Sequence, residues 1–509
     1  MRTKGLLKKT VTIFTCLALM LSAFGFSGMT ALAGESAASA ESEWAMTVPQ
    51  IRVTTENGNG TTLQKEDGYQ NAQITITGVD GSVLSDNCVF KVRGNTTALS
   101  WVEKKAFTFK FSKKKDVLGM GKGKKWALIA NAFDPTLLRN LVAFSLAKEL
   151  DIPYTSEFKV TELWVDGVFR GCYVLFEPVQ EGKDRVDIDI ESNDGKKDFL
   201  IEYEKSREEE GVTYFTVDGL RYISGEPEEP TEDQLAYIES TMQDISQTIR
   251  KGSRAEIESK IDVDSFAKYY ILNEVMKTYD FDMSSVFFYY KNGRLYAGPP
   301  WDYDLSAGNA GSEGYPRPDA TLHTDGAFVK DRIIYKFLCK HDWFMEQVRL
   351  CYRDHFDYIA NLSAEGGLLD TLRSEYGDVF ARNYNEAGWK VSKHWINIQR
   401  KPLPTYDENY DYLKNWLAER QTWMNDYYDP TAPVYLIGDT DGNGVIDIND
   451  VTELQRILAE FDVEDSDSKL LRAAGGERAD INSATAMQRY LAADGDSGYI
   501  GNRAYTIHN

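Results

Sequence analysis

The chain has 509 residues, with 57 Lys+Arg against 79 Asp+Glu, 42% hydrophobic and 27% charged residues. That length allows roughly two to four domains at about 150 residues each, and the composition is globular rather than disordered. The net charge of −22 excludes a general nucleic-acid binder and a basic membrane-surface protein, because most of the surface would repel a polyanion or an anionic membrane.

Residues 1–33 read as a secretory signal. Arg2, Lys4, Lys8 and Lys9 form a positive start, Val11 to Phe26 an apolar run, and Ala31-Leu32-Ala33 a small-x-small cleavage site. The run is shorter than the ~20 residues of a membrane span, and no later stretch is longer. The expected location is outside the cell or on an extracellular scaffold, without a transmembrane anchor. Residues 34–47, rich in Ala, Ser and Glu, read as a flexible leader. Cys88, Cys172, Cys339 and Cys351 do not form a disulfide scaffold. Cys339 and Cys351 share one helical pattern, about 18 Å apart along its axis, too far to bond.

Strand patterns dominate from Val48 to Lys110: Ile51–Val53, Gln73–Thr77, Val89–Val92 and Phe107–Phe111, with Trp126–Ala130 next. Asp134-Pro135 predicts a helix start, with Asp as N-cap and Pro at the first helical position. Lys159–Val165 and Phe169–Phe176 follow as strands, joined by the hairpin signal Asp166-Gly167. After Thr231 the pattern turns helical. Thr231 and Gln234 make a capping-box pair, and Leu235, Ile238, Met242, Ile245 and Ile249 hold one apolar face. A further helix spans about 264–278. One hairpin, Val286 to Gly298, interrupts helices that continue through Tyr428. A β-rich half followed by an α-rich half predicts an α+β fold of two lobes, with a ligand cleft between them.

The hairpin is where the chemistry is legible. Tyr279-Asp280-Phe281-Asp282 precedes it and Trp301-Asp302-Tyr303-Asp304 follows it, with Asn292-Gly293 at its tip. Pairing Lys291 with Arg294 and extending the register puts 282 opposite 303 and 302 opposite 283. Both acidic clusters then reach one end, where up to four carboxylates within about 5–8 Å repel one another. A divalent cation relieves that repulsion, and Mg²⁺ takes one or two carboxylates with water and phosphates. A carboxylate outside that shell can accept a hydroxyl proton. A solvated acidic hairpin end is the bland alternative. Upstream, residues 104–125 hold nine lysines, a local reversal of charge that suits polyphosphate or marks a solvated lysine-rich hairpin. The aromatics 107, 109 and 111 share one strand face, and Lys110 points the other way.

These residues resemble the CotH kinase family. The matching segments are Lys91–Thr97, Lys104-Lys105 with Phe107–Phe111, Leu118–Met120, Lys125–Asn131 with Asp134–Asn140, and Gly171–Glu177. Asn273-Glu274, Tyr279-Asp280 and Pro300–Asp304 complete the series. The resemblance covers about 48–428. It implies a bilobal protein-kinase-like fold, with a β-rich N-lobe and an α-rich C-lobe. It further implies ATP with Mg²⁺ or Mn²⁺, and phosphorylation of protein hydroxyls. Asp302 then matches the metal-binding Asp of a kinase, with Asp282 and Asp304 as further metal candidates. Asp280 matches the Asp that orients the acceptor hydroxyl. Arg93 and Lys110 are candidates for the nucleotide phosphates, and Glu177 for the hinge side of the nucleotide. Ser285-Val286 stands near where a kinase carries a second metal-binding Asn.

Residues 429–437 include the stiff Asp429-Pro-Thr-Ala-Pro433 linker. Residues 438–495 resemble a type I dockerin, a small all-α module with an EF-hand-like calcium loop, which implies a cohesin partner on a cellulosome scaffold. Its first loop offers Asp439, Asp441, Asn443, Val445 (through its carbonyl), Asp447 and Asp450 at positions 1, 3, 5, 7, 9 and 12, with Gly444 at position 6. Residues 447–459 recur at 480–492 with 8 of 13 identical. The second loop has lost its acidic start and carries Ser483 at position 12, so one calcium is expected. Gln455-Arg456 and Gln488-Arg489 are candidate partner contacts. Residues 496–509 read as a tail.

Three functions follow as expectations. The first is a secreted CotH-like protein kinase docked to a cohesin-bearing scaffold. The second is a catalytically silent structural or interaction protein there. The third is a polysaccharide-acting component, which would need a carboxyl pair about 5–9.5 Å apart.

Overall fold

A computed structural model describes residues 46–205, 207–209, 211–311, 321–475, 479–493 and 497–505. The expected signal segment and nearly all of the leader lie outside them. Seven strands close into a barrel: β1 (Gln50–Thr55), β2 (Gln70–Thr77), β3 (Val83–Arg93), β4 (Ala106–Asp116), β5 (Lys122–Ile129), β6 (Phe158–Val165) and β7 (Val168–Phe176). The order is β1-β2-β3-β4-β5-β7-β6, and β1 pairs parallel with β6. Alternation builds its interior. Phe107, Phe109 and Phe111 point inward with Phe90, Trp126, Leu128, Tyr173 and Leu175. Asp166 and Gly167 both take positive φ, as a two-residue hairpin between right-twisted strands requires.

Helix α1 (Arg139–Glu149) begins later than the Asp134-Pro135 signal predicts. Leu137 at φ 63° breaks any helical path from Pro135. Asp134 instead accepts N–H bonds from Thr136 (3.0 Å) and Arg139 (2.8 Å).

A second sheet was only half visible in the sequence. β8 (Phe199–Tyr203), β9 (Tyr214–Val217) and β10 (Leu220–Glu226) join the hairpin strands β11 (Val286–Lys291) and β12 (Arg294–Ala297). The order is β12-β11-β8-β10-β9, so the hairpin read as an isolated insert is one edge of a five-stranded antiparallel sheet.

Helices α2 (Glu232–Lys251), α3 (Arg254–Lys260) and α4 (Val263–Met276) pack on this sheet. The Thr231/Gln234 capping box is formed, with bonds of 2.9 and 3.2 Å. Then come α5 (Tyr335–Leu338), α6 (Asp342–Asp354), α7 (Phe356–Asn361), α8 (Leu368–Asn385) and α9 (Tyr406–Tyr428). Cys339 ends α5 and Cys351 lies in α6, so they occupy two helices rather than one. All four described cysteines are free. One large core joins the outer face of β5–β7 to α1, α4 and the second sheet, through Val174, Phe176, Phe144, Tyr269 and Tyr303.

The C-terminal part contains α10 (Ile448–Leu458), α11 (Ser466–Ala474) and α12 (Ile481–Ala492). It is not purely helical. β13 (Val434–Leu436), within the expected linker, pairs with β14 (Arg503–Tyr505), within the expected tail. The tail is also fastened to α6. Tyr505 N–H donates to Glu346 Oε1 over 2.8 Å, its ring lies under Arg349, and Arg503 pairs with Asp354. No helix among the described residues is long and apolar enough to cross a membrane.

Candidate active site

The β11–β12 hairpin carries its register as expected. Lys291 faces Arg294, Tyr289 faces Tyr296 and Phe288 faces Ala297. Asn292 and Gly293 take φ 52° and 86°, the positive pair of a type I′ turn. The ladder ends at Gly298, because Pro299 and Pro300 have no N–H to give. The extrapolated 282–303 pairing is therefore not made. A short 3₁₀ turn over Tyr279–Asp282 replaces the strand, and Tyr279 N–H donates to the Leu305 carbonyl over 3.1 Å.

The acidic segments still meet. Asp302 sits at φ 62°, a left-handed geometry that Asp tolerates better than most residues. Behind it, Tyr303 N–H donates to Asn140 Oδ1 over 2.8 Å and Tyr303 Oη reaches Asn273 Oδ1 at 3.2 Å. Fully buried Arg139 holds the next turn through the Ser306 and Ala307 carbonyls, at 2.9 and 3.2 Å. These bonds fix the loop from helices α1 and α4, so its position does not depend on the hairpin alone.

The electrostatics follow from that crowding. Burial, with Asp302 as its main charged neighbour, pushes the Asp280 carboxyl up to about 7, and Glu204 and Glu202 add to the effect. Burial also raises Asp302, against the pull of the Arg93 guanidinium and a hydrogen bond from Asp304. Asp304 is raised further, by burial and then by Asp302 and Asp280. Asp302 and Asp304 thus each raise the other's cost of ionising, as two close carboxyls do.

The other sequence candidates are scattered. Asp282 lies 3.9 Å from Arg332 Nε. Arg93 ends β3 with its guanidinium 5.0 Å from the Trp301 ring centre and in the field of Asp302. Lys110 is exposed on β4 opposite Val89. That is four residues down β3 from Arg93, about 13 Å at the rise of a strand. The structure therefore does not bring Lys110 to the aspartates. Glu177 follows β7. Its Oε2 accepts Glu157 N–H at 3.0 Å, it lies 3.7 Å from Arg185, and burial pushes it up to about 7. Of the basic run, Lys104 and Lys105 are buried and spend their ammonium groups on main-chain carbonyls: Lys104 on Cys172 (2.9 Å), Lys105 on Ala98 and Leu99.

The sequence reading missed Glu202, Glu204, Arg207 and Asn140. Glu202 and Glu204 stand two apart at the end of Phe199-Leu-Ile-Glu-Tyr-Glu204, so a strand puts them on one face. That period was the available signal. Arg207 pairs with Glu204 at 3.2 Å.

Two places suit cations. Around Asp302 no three ligand atoms among the described residues lie within 4.8 Å of one another. A divalent ion there would take one or two carboxylates and fill its shell from water and phosphate, which is the habit of Mg²⁺. Arg93 Nη1 is buried without a hydrogen-bond partner, a donor suited to a phosphate oxygen. The second place is the 439–450 loop, where Asp439, Asp441 and Asp450 do bring their oxygens within 4.8 Å. Asp439 accepts the N–H groups of Gly442, Asn443 and Gly444 at 2.9–3.0 Å. Asp450 accepts those of Asp441 (3.1 Å) and Asp447 (2.8 Å). Val445 N–H donates to Asn443 Oδ1 over 2.8 Å, and Asp447 caps α10. In the repeat, Asp480 caps α12 in the same way. Residues 476–478 lie outside the described part.

No curated protein matches the chain. The family model described as CotH kinase protein matches residues 90–424, a span from β3 to α9 that contains Arg93, Asp280 and Asp302. The chain therefore belongs to the CotH kinase protein family.

Proposed function

We propose that this is a secreted kinase that moves the γ-phosphoryl group of ATP to a protein hydroxyl, held by its C-terminal module to a cohesin-bearing cellulosome scaffold. The observation that carries the kinase reading is the meeting of Asp280, Asp302 and Arg93 at one partly buried place. Phosphoryl transfer asks a protein mainly for positioning and charge neutralisation. Arg93, with its orphaned Nη1, offers a donor to the phosphates. Asp302 offers a carboxylate to Mg²⁺ or Mn²⁺, which when bound neutralises charge on the phosphates. Asp280 stands ready to orient the acceptor hydroxyl and take its proton. The acceptor oxygen–phosphorus bond forms as the bond to ADP breaks.

The dockerin reading is supported by the calcium-loop geometry and by exposed apolar side chains at matching places in the repeat. Ile448 and Ile481 are exposed, as are Val445, Phe461, Tyr490 and Leu491. What supports the reading is the repetition: Ile448 and Ile481 hold the same place in the two copies, each directly after its helix-capping Asp, and both are exposed.

Purified protein with labelled ATP, Mn²⁺ and neighbouring secreted proteins tests the kinase reading. Label transfer that Asp302→Ala abolishes supports it, and nucleotide binding absent at millimolar ATP removes it. A silent scaffold protein is the second reading. It is favoured by how little space, about 10 Å³, lies among Ile129, Asn140, Phe144, Phe176, Trp301 and Asp302.

A further inference from the structure

Between α8 and α9, residues 387–405 hold Lys390, Lys393, Arg400 and Lys401 and no Asp or Glu. In a chain of charge −22 that is a local reversal. The segment is laid against the loop that carries Asp302 and Asp304. Asn309 Nδ2 donates to the Asp304 carbonyl at 2.7 Å and to the Phe133 carbonyl at 2.8 Å. Gln399 Nε2 donates to the same Phe133 carbonyl at 2.8 Å, and its Oε1 accepts the Trp395 N–H at 2.9 Å. Arg400 N–H reaches the Asn309 carbonyl, and Gly311 N–H the Ile398 carbonyl, each at 2.7 Å. Two amide side chains thus link Trp395 to Asp304. Trp395, Val102, Phe133 and Leu305 also share a small core with Tyr279, the neighbour of Asp280.

The outer side of this segment is aromatic and cationic. Trp101 is 58% exposed, and its indole N–H donates to the Trp395 carbonyl over 3.2 Å. Lys393 Nζ stands 4.7 Å from the Trp395 ring centre. Arg170 lies 4.8 Å from the ring centre of Trp389, whose indole N–H donates to the Arg170 carbonyl at 2.7 Å. Lys390, Lys393 and Lys401 are exposed. Among the described residues neither they nor Arg170 is paired with a carboxylate. Two acids are near. Glu103 is exposed, with its carbonyl accepting from Arg170 Nη2 at 2.9 Å, and Asp134 is fully buried and paired with Arg139. A rigid exposed indole is an anchor for a protein partner, and free cations steer and align a partner of opposite charge.

We infer that the surface of Trp101, Arg170, Lys390, Lys393 and Lys401 binds the protein acceptor, and that the acceptor carries acidic residues near the hydroxyl that receives phosphate. The inference rests on the kinase reading and adds the substrate class to it. The surface shares its support with the turn of Asp280, where an acceptor chain has to pass. That position favours a polypeptide over a charged polysaccharide.

The test is fluorescence anisotropy of the full chain with three labelled peptides of one length, each with a central Ser flanked by Asp, by Asn or by Lys. The Asp peptide is expected to bind at least tenfold tighter than the other two, and less tightly as salt is added. The double variant Lys390→Glu/Lys393→Glu changes two exposed side chains and is expected to lose at least tenfold of that affinity. In label transfer from ATP it should raise KM for the Asp peptide by a similar factor and leave kcat within about twofold. Equal binding of the three peptides, or an Asp peptide held as well by the double variant as by the wild type, overturns the surface and spares the kinase reading. ATP–Mn²⁺ titration of the same samples tests that reading separately, and no nucleotide bound by the wild type overturns both. Binding of polygalacturonate without binding of the Asp peptide overturns the protein acceptor in favour of an acidic polysaccharide.

Discussion

Tyr279 donates its N–H to the carbonyl of Leu305 across 3.1 Å, and this one main-chain bond ties the turn bearing Asp280 to the loop bearing Asp302. The hairpin between them spans residues 286–297, yet its ladder stops short of both aspartates. Their meeting depends on that bond and on the anchors from Asn140, Asn273 and Arg139. The anchors, not the aspartates, set the geometry that any chemistry here uses.

Asn140→Ala should therefore loosen the site. It deletes the acceptor of the Tyr303 N–H and of no other described main-chain group. A buried unsatisfied N–H costs about 1–3 kcal/mol. Urea melts should show that loss, and nucleotide affinity should fall with it. Full stability in Asn140→Ala would show that the loop is held by other means.

The fully buried pair Glu274–Arg420, at 2.7 Å, supports the same region from behind. Glu274 also accepts the N–H groups of Phe328 and Val329, each at 2.8 Å. Removing Arg420 leaves the Glu274 carboxylate buried without its counter-charge. Arg420→Met is expected to cost roughly 3–5 kcal/mol in equilibrium unfolding, and a loss below about 1 kcal/mol would count against a dry, paired site.

Much of this architecture was legible beforehand, where local chemistry decides the structure. Asn292-Gly293 and Asp166-Gly167 specify two-residue turns because both central residues need positive φ. Thr231 and Gln234 specify a helix start by reciprocal bonds. Phe107, Phe109 and Phe111 announce an inward strand face. What escaped was set by distant partners. β8 to β10 are short, and the place of β8 depends on the hairpin strand β11, far along the chain. Pro135 signals a helix that Leu137, in a left-handed conformation, cancels. Asp280 and Asp302 stood out as paired acidic motifs. Glu202 did not, because its bond from the Ser285 N–H forms only once β8 lies beside β11. Lys110 is a candidate through the resemblance of Phe107–Phe111 to the family's segment, which says nothing of how far a strand carries it from Arg93.

Lys104 gives a pH signature. Burial is the first cause that brings its ammonium group down to about 7. Between that value and the ordinary lysine range the unfolded chain binds the extra proton, so stability rises with pH. Below pH 7 both states are charged and the full penalty applies. Lys104→Met removes it, and its stability relative to wild type should shrink from pH 6 to pH 10 by up to roughly 4 kcal/mol. A difference that stays flat with pH would mean that Lys104 is charged throughout.

The C-terminal loop should take one calcium. Calorimetric titration of the full chain is expected to give a single tight site, lost in Asp439→Ala, and two tight sites would refute the reading of the degenerate repeat. Chelation should lower the melting temperature of the module, since a site that forms only on folding returns its binding energy as stability.

Tyr505 tests whether the module is clasped to α6 rather than tethered. Its ring lies 4.1 Å from the Arg349 guanidinium, and its hydroxyl donates to the Arg349 carbonyl over 3.1 Å. Tyr505→Ala should expose residues 429–437 to limited proteolysis several-fold faster. An unchanged cleavage rate would show that the β13–β14 pair carries no such load.

The most direct measurement is isothermal titration of ATP with Mn²⁺ into the calcium-saturated protein and into Asp302→Ala. One nucleotide per wild-type chain, with binding lost or at least tenfold weaker in Asp302→Ala, is the expected result. Heat that is absent from the wild type at millimolar ATP, or identical in the two proteins, would contradict the assignment of Asp302 to a nucleotide–metal site.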